Sequence, residues 1–205
     1  MVTGIPDRWH FILASRSPRR QQLLKELGLK FEIVVRDFRE DYPVILSGAD
    51  IAEHLAREKA ASFKGEISDN DIVITADTVV WCDDRVLDKP CDYKEAFDIL
   101  RFISGKTHDV ITGVSFLSIH AEYTFSDTTR VTFNSLSDEE IDYYIRKFKP
   151  YDKAGAYGIQ EWIGLIGITS IEGSYFNVMG LPAQKLFTEL KRYIKNFDDI
   201  LSGRQ

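Results

Sequence analysis

The sequence predicts an α/β fold built on a mixed sheet, and three observations carry that reading. Strand-like and helix-like patterns alternate along the chain, with no internal repeat and no linker long enough to split it. The β-branched run Ile72-Val73-Ile74 has the composition of a buried central strand. The 205 residues, 44% of them hydrophobic, suffice for one well-buried core, drawn out at most into two lobes around a cleft.

The elements follow in order. Trp9 to Ala14 reads as a short buried strand. Pro18 suits the first turn of a helix, where its missing N–H costs nothing, and Ser17 is placed to cap it. Leu23, Leu24, Leu27 and Leu29 continue at near-helical spacing, and Gly28 marks the stop. Phe31 to Val35 reads as a second strand. "DIAEHLAREKAASF", Asp50 to Phe63, is helical, with Asp50 or Ser47 as caps. The central strand follows and ends on Asp77-Thr78. Tyr93 to Ile103 is a helix closed by Ser104-Gly105. Two antiparallel strands flank His120-Ala121. Asp138 to Phe148 is a helix whose cap Ser137 and partner Glu140 form a capping box. Leu181 to Phe197 is a last amphipathic helix with Pro182 in its first turn.

Composition excludes several function classes. A net charge of -6 argues against binding nucleic-acid backbones, which needs a basic face, but leaves room for a small positive pocket. No run of eighteen apolar residues encodes a membrane span. Met1 to Arg8 lacks the basic and apolar segments of a signal peptide. Cys82 and Cys91 form neither a disulfide framework nor a metal finger, and two reduced thiols point to the cytoplasm. His10, His54, His108 and His120 are scattered and read as structural. The aromatics Tyr143, Tyr144 and Phe148 are either a homodimer surface or core.

Chemistry concentrates in a few places. Arg16, Arg19 and Arg20 sit where a strand hands over to a helix N-terminus, and guanidinium forks match phosphate oxygens in pairs. From spacing alone, solvated arginines beside a simple Ser-Pro cap remain the better reading. Asp77, placed at the carboxyl end of the central strand, suits a cation ligand or a base acting on water, and a turn-forming Asp explains the position about as well. Glu40 and Glu95 are further acids that can join it. Lys59 and Lys89 can meet a phosphate, although for any single lysine a solvated position is the default. "YDKAGAYGIQEWIG", Tyr151 to Gly164, holds glycines that imply close backbone approach, with Lys153 placed for a phosphate and Gln160 for a base edge; a tight core turn is the competing reading. There is neither a P-loop, nor a dinucleotide fingerprint, nor a nucleophile elbow.

"LASRSPRRQQLL", "LAREKA", "ITADTVVW", "DKPCDYKEAFDIL", "SGKTHDVITGV" and "DKAGAYGIQ…IEGSYFNVMGLP" occur in the order seen in the Maf family. The sequence therefore resembles that family of nucleoside triphosphate pyrophosphatases, from Phe11 to Leu190. The resemblance implies a single domain at 9–195 between terminal extensions at 1–8 and 196–205. It implies a two-lobed fold similar to that of inosine triphosphate pyrophosphatases, with the active cleft between the lobes. It also implies cleavage between the α and β phosphates, helped by Mg²⁺ or Mn²⁺. Asp77 matches the family's catalytic acid, and Asp77 with Glu40 is the implied metal pair. Ser15, Arg19, Arg20, Lys59, Lys89 and Lys153 match phosphate-facing positions. Arg19, Thr78 and Gln160 resemble the branch that prefers dTTP and UTP rather than 7-methyl-GTP, and a neutral amide can pair with both the carbonyl and the N–H of a uracil edge. Two departures stand out: Glu161-Trp162 follow Gln160 where a small Gly is usual, and Asp88 precedes Lys89-Pro90. A non-catalytic nucleotide-binding regulator of cell division is the alternative from another class.

Overall fold

The structure, a computed structural model, describes residues 5–201, with side chains to residue 196. In chain order the elements are β1 (His10–Leu13), α1 (Pro18–Glu26), β2 (Phe31–Ile33), α2 (Gly48–Ala61), β3 (Asp71–Cys82), β4 (Arg85–Val86), α3 (Tyr93–Ile103), β5 (Thr107–Leu117), β6 (Glu122–Phe133) and α4 (Asp138–Phe148). A 3₁₀ turn at Ala154–Ala156 follows, then α5 (Trp162–Gly167), β7 (Ile168–Glu172), α6 (Tyr175–Val178) and α7 (Ala183–Leu201). One seven-stranded sheet has the order β2-β1-β3-β5-β6-β7, with β4 beside β3. The pairs β1–β2 and β1–β3 are parallel and the rest antiparallel, so the sheet is mixed, as the sequence predicts.

Local chemistry explains most boundaries. The Ser17 hydroxyl caps α1 by accepting from the Arg20 amide at 3.4 Å. Asp92 caps α3 in the same way, and Ser137 with Glu140 forms the full capping box of α4. Ser47, not Asp50, occupies the N-cap of α2. The helix α7 starts at Ala183, two residues later than the sequence implies and with Pro182 before its first turn, and continues to Leu201. Of the expected terminal extensions, residues 1–4 and 202–205 lie outside the described residues.

One expectation fails in an informative way. Asp77 does not end the central strand but sits in the middle of the twelve-residue β3. On one side β3 pairs continuously with β5, Asp77 facing Gly113. On the other side its partner β1 stops at Leu13, opposite Ile74, and β4 begins pairing only at Trp81. The last ladder-like bonds there are Ala14 N–H to Ile74 O at 3.0 Å and Leu87 N–H to Val80 O at 2.8 Å. Between them the sheet has an opening, and Asp77 lies in it. The hairpin that brings β4 back turns on Asp83-Asp84, whose φ values of 48° and 58° meet the requirement of a type I′ turn.

Packing is divided at the same level. On one face of the sheet, Leu13, Ile74 and Phe116 pack with Leu23, Leu24, Leu186 and Leu190 of α1 and α7. Further along that face, Val80, Val110 and Val131 pack with Leu100, Ile103, Ile141 and Ile145 of α3 and α4. Met179 touches both clusters, which are the two lobes. The opposite face is covered by α2, whose Ile51 and Leu55 meet Val79 and Ile111. Tyr144 is fully buried in the second lobe, which removes it from any partner surface; Tyr143 stays at the surface against Trp162.

Candidate active site

The turn from β1 into α1 sends its three arginines in three directions. Arg16 reaches Asp37 at 2.7 Å on the surface. Arg19 leans toward Asp152 at 3.6 Å. Arg20 turns inward and bridges the opening in the sheet: Nε donates to Gly180 O at 2.8 Å, one terminal nitrogen to Ala76 O at 2.9 Å, and the other to Thr78 Oγ1 at 3.0 Å. It thus takes a bond that a neighbouring strand would otherwise satisfy, and fastens α1, β3 and the loop before α7 together. Burial lowers its pKa, opposed by the nearby Asp77. Ser15 is buried, and its Oγ accepts from Ser17 N–H at 3.2 Å, fixing the turn.

Asp77 is the centre of the opening and only 5% exposed. One carboxylate oxygen accepts from the Thr78 amide at 2.9 Å and the other from Lys59 Nζ. Lys59 is delivered by α2, which lies unusually close to the sheet. The Thr75 hydroxyl donates to Ala56 O at 2.6 Å, and the Gly113 Cα faces the Ala52 carbonyl so closely that a Cβ there would stand 2.2 Å from the oxygen. Lys59 also meets Glu40 at 3.3 Å, and Lys89 donates to both Glu40 oxygens at 2.8 and 2.9 Å. Burial pushes the Glu40 carboxyl up, but the two ammonium groups outweigh it and hold its pKa below the ordinary value. Asp88 is shifted the other way, by burial and then by Glu40. A second cationic cluster lies across the opening. Lys153 is buried and pairs with Asp152 at 2.7 Å and Glu161 at 3.2 Å. Asp152 is held below its ordinary pKa by Lys153 and then Arg19, against the effect of its own burial.

These groups line one cleft of about 550 Å³, and it gathers Ser15, Arg19, Arg20, Glu40, Lys59, Asp77, Thr78, Lys89, Lys153 and Gln160. All the candidate residues from distant segments but one therefore meet at one place. Glu95 does not join them; its carboxylate accepts from the Cys91 amide beside α3. The glycines of the Tyr151 to Gly164 segment do mark close approach: Gly155 against Val80, Gly158 against the Glu161 carboxylate, Gly164 against the Ile159 carbonyl. Sequence reasoning missed Phe38, whose ring carries Lys59 at 5.4 Å, as well as Asp152, Tyr157 and Met179 in the lining. Nothing in "RDFRED" marks that phenylalanine as a support for a lysine 21 residues away.

Asp77 and Glu40 are bridged by one ammonium, and both offer hard oxygen donors. Among the described residues, no three His, Cys, Asp or Glu side chains converge into a protein cage. This donor set fits Mg²⁺ or Mn²⁺, which accept one or two carboxylates and take their remaining ligands from substrate phosphates and water.

An α/β sheet opened at its central strand, with one buried carboxylate between two cationic clusters, is the arrangement of an α/β protein whose cleft has the charge pattern to suit an elongated anion. The chain belongs to the Maf family: the model of that family, described as Maf-like protein, matches residues 10–193. It is similar to a dTTP/UTP pyrophosphatase of Phocaeicola vulgatus, 52% identical over 91% of this chain and 97% of that one. It is also similar to proteins of the same description in Bacteroides thetaiotaomicron, at 48% over 93% and 100%, and Flavobacterium johnsoniae, at 50% over 89% and 94%. Among solved structures, the Staphylococcus aureus Ham1 protein is similar with a TM-score of 0.45 and 12% identity, over 91% of this chain and 98% of that one.

Proposed function

We propose that this protein is a metal-dependent pyrophosphatase that hydrolyses dTTP and UTP to the nucleoside monophosphate and pyrophosphate. The observation that carries the proposal is the position of Asp77, buried in the sheet opening with lysines on one side and Gln160 at the rim. The names and near-complete coverage of the relatives support the substrate class. In this reading Asp77 accepts the proton of the attacking water. Lys59, Lys89, Lys153 and Arg19 exchange their carboxylate partners for phosphate oxygens and neutralise the charge that gathers on the leaving pyrophosphate. Arg20, Thr78 and Ser15 hold the walls against which the phosphates lie. Asp77 and Glu40 would hold Mg²⁺ or Mn²⁺, which when bound polarises phosphate oxygens. Gln160 would read the base edge. The unit that does this is the domain at 9–195, and its setting is the cytoplasm, consistent with two free cysteines.

The test is a panel of nucleoside triphosphates, methylated bases included, with monophosphate and pyrophosphate both quantified in the presence of Mg²⁺. Equimolar release from UTP and dTTP, abolished by a chelator, is expected. Binding without turnover would make the protein a sensor, and a preference for 7-methyl-GTP would move it to the other branch.

A further inference from the structure

The residue after the proposed base reader, Glu161, stands at the N-cap of α5 yet caps nothing, because its side chain turns inward. One carboxylate oxygen accepts from the hydroxyl of the fully buried Tyr144, and the other pairs with Lys153 at 3.2 Å. The same hydroxyl accepts from the Gly158 amide at 3.0 Å. The Glu161 amide in turn donates to Gly158 O at 3.0 Å, closing a tight turn with Gln160 exposed upon it. The carboxylate lies so close beneath this turn that a Cβ on Gly158 would come within 2.7 Å of its carbon. Lys153 continues the chain of charges to Asp152 and thence to Arg19. A single carboxylate therefore joins the cationic cluster of the cleft to the turn that carries Gln160.

We infer that Glu161 and Tyr144 are positioning residues for base selection, fixing the Gly158–Gln160 turn against Lys153. The inference rests on the reading of Gln160 as the base-edge contact. The physical need for such a device is specific. A glutamine amide offers a donor and an acceptor that exchange places when it rotates, so by itself it pairs with a uracil edge or a cytosine edge. Discrimination requires that the backbone presenting it does not move. Polar groups bonded to one another beneath the turn supply that rigidity, since loosening them leaves a phenol, an amide and a carboxylate unsatisfied.

The experiment compares kcat and KM for UTP and CTP in the full chain, with thermal unfolding measured in parallel. Tyr144→Phe and Gly158→Ala, which break the contact from below and from above, are each expected to raise KM for UTP about tenfold and to lower the UTP-to-CTP preference similarly, the loss expected of one buried hydrogen bond, with kcat within about threefold. Glu161→Gln keeps an acceptor for Tyr144 but loses the charge facing Lys153. It is expected to lower the UTP-to-CTP preference by about threefold, less than the other two variants do, while raising KM for both nucleotides; a wild-type preference here and in Gly158→Ala overturns the role of Glu161. If Tyr144→Phe does not fold, the other two variants decide. A wild-type preference in folded Gly158→Ala, while Gln160→Glu alters it, overturns the positioning role alone. An unchanged preference in Gln160→Glu overturns the base-reading assignment itself, and this inference with it.

Discussion

Asp77 shows how much a single side chain depends on what its neighbours leave undone. It is buried, yet its carboxylate has two firm donors, the Thr78 amide and Lys59. Asp77→Asn retains an acceptor for the amide and so keeps the local structure, but loses the charge. UTP hydrolysis is expected to fall by ~10²-fold or more in kcat with little change in melting temperature. His108 illustrates the opposite economy. It is 2% exposed, donates to or accepts from Tyr157 at 2.8 Å, and burial lowers its pKa from 6.5 to about 4. Below pH 6.5 the unfolded chain takes up a proton that the folded chain refuses, so stability falls as pH drops from 6.5 toward 4, by about 3 kcal/mol in all. Urea unfolding at pH 7 and pH 4.5 is expected to show a smaller pH-dependent loss in His108→Gln than in the wild type. At this scale the residues that meet in the cleft are legible, since side-chain type and motif order single out Asp77, Lys59 and Gln160. Arg20 was legible as a cation but not as a brace, because its acceptors lie 56 and 160 residues away.

Among the elements, legibility follows the range of the forces that set each boundary. The helices α3 and α4 match their sequence-read limits because both ends are written locally, in Asp92 or Ser137 at the start and in Ser104-Gly105 or Lys149 at the end. The sequence makes β3 too short because the strand's extent is decided by β5 alongside it, whose paired residues lie 28 to 44 positions further on. Nor does any local signal say that β1 stops at Leu13, and it is this stop that turns a mid-strand aspartate into a cleft residue. The short β4, β7 and α5 have no pattern of their own in the sequence and are held by contacts, whereas α6 carries a local cap in Ser174. The closeness of α2 to the sheet yields a prediction. Gly113→Ala puts a methyl group into the Ala52 carbonyl, and because the opposing atoms belong to the backbone of α2, the whole helix must lift. A loss of about 3 kcal/mol in unfolding free energy is expected, the upper end for overpacking, with a drop in kcat as Lys59 leaves Asp77.

For the molecule as a whole, the cations and carboxylates of the cleft pair with one another, linking α1 to the segment before α5 and α2 to β3. In the proposed reading, a triphosphate that replaces those carboxylates ties the same segments together more strongly. In Asp77→Asn, where turnover is slow, UTP at about 100 Kd adds about 2.7 kcal/mol and is expected to raise the melting temperature by roughly 5–10 °C, whereas uridine is expected to add far less. The three longest strands, β3, β5 and β6, run unbroken past both lobes and are bonded to one another along nearly their full length. Movements between halves of a protein need flexible joints where chain segments cross, and here the crossing is made by continuous pleated ribbon. The two halves are therefore planks of one floor rather than jaws. In the proposed reading, accommodation of a nucleotide then falls to rotating lysine and arginine side chains at the rim, and the fidelity of the pocket is set before the substrate arrives.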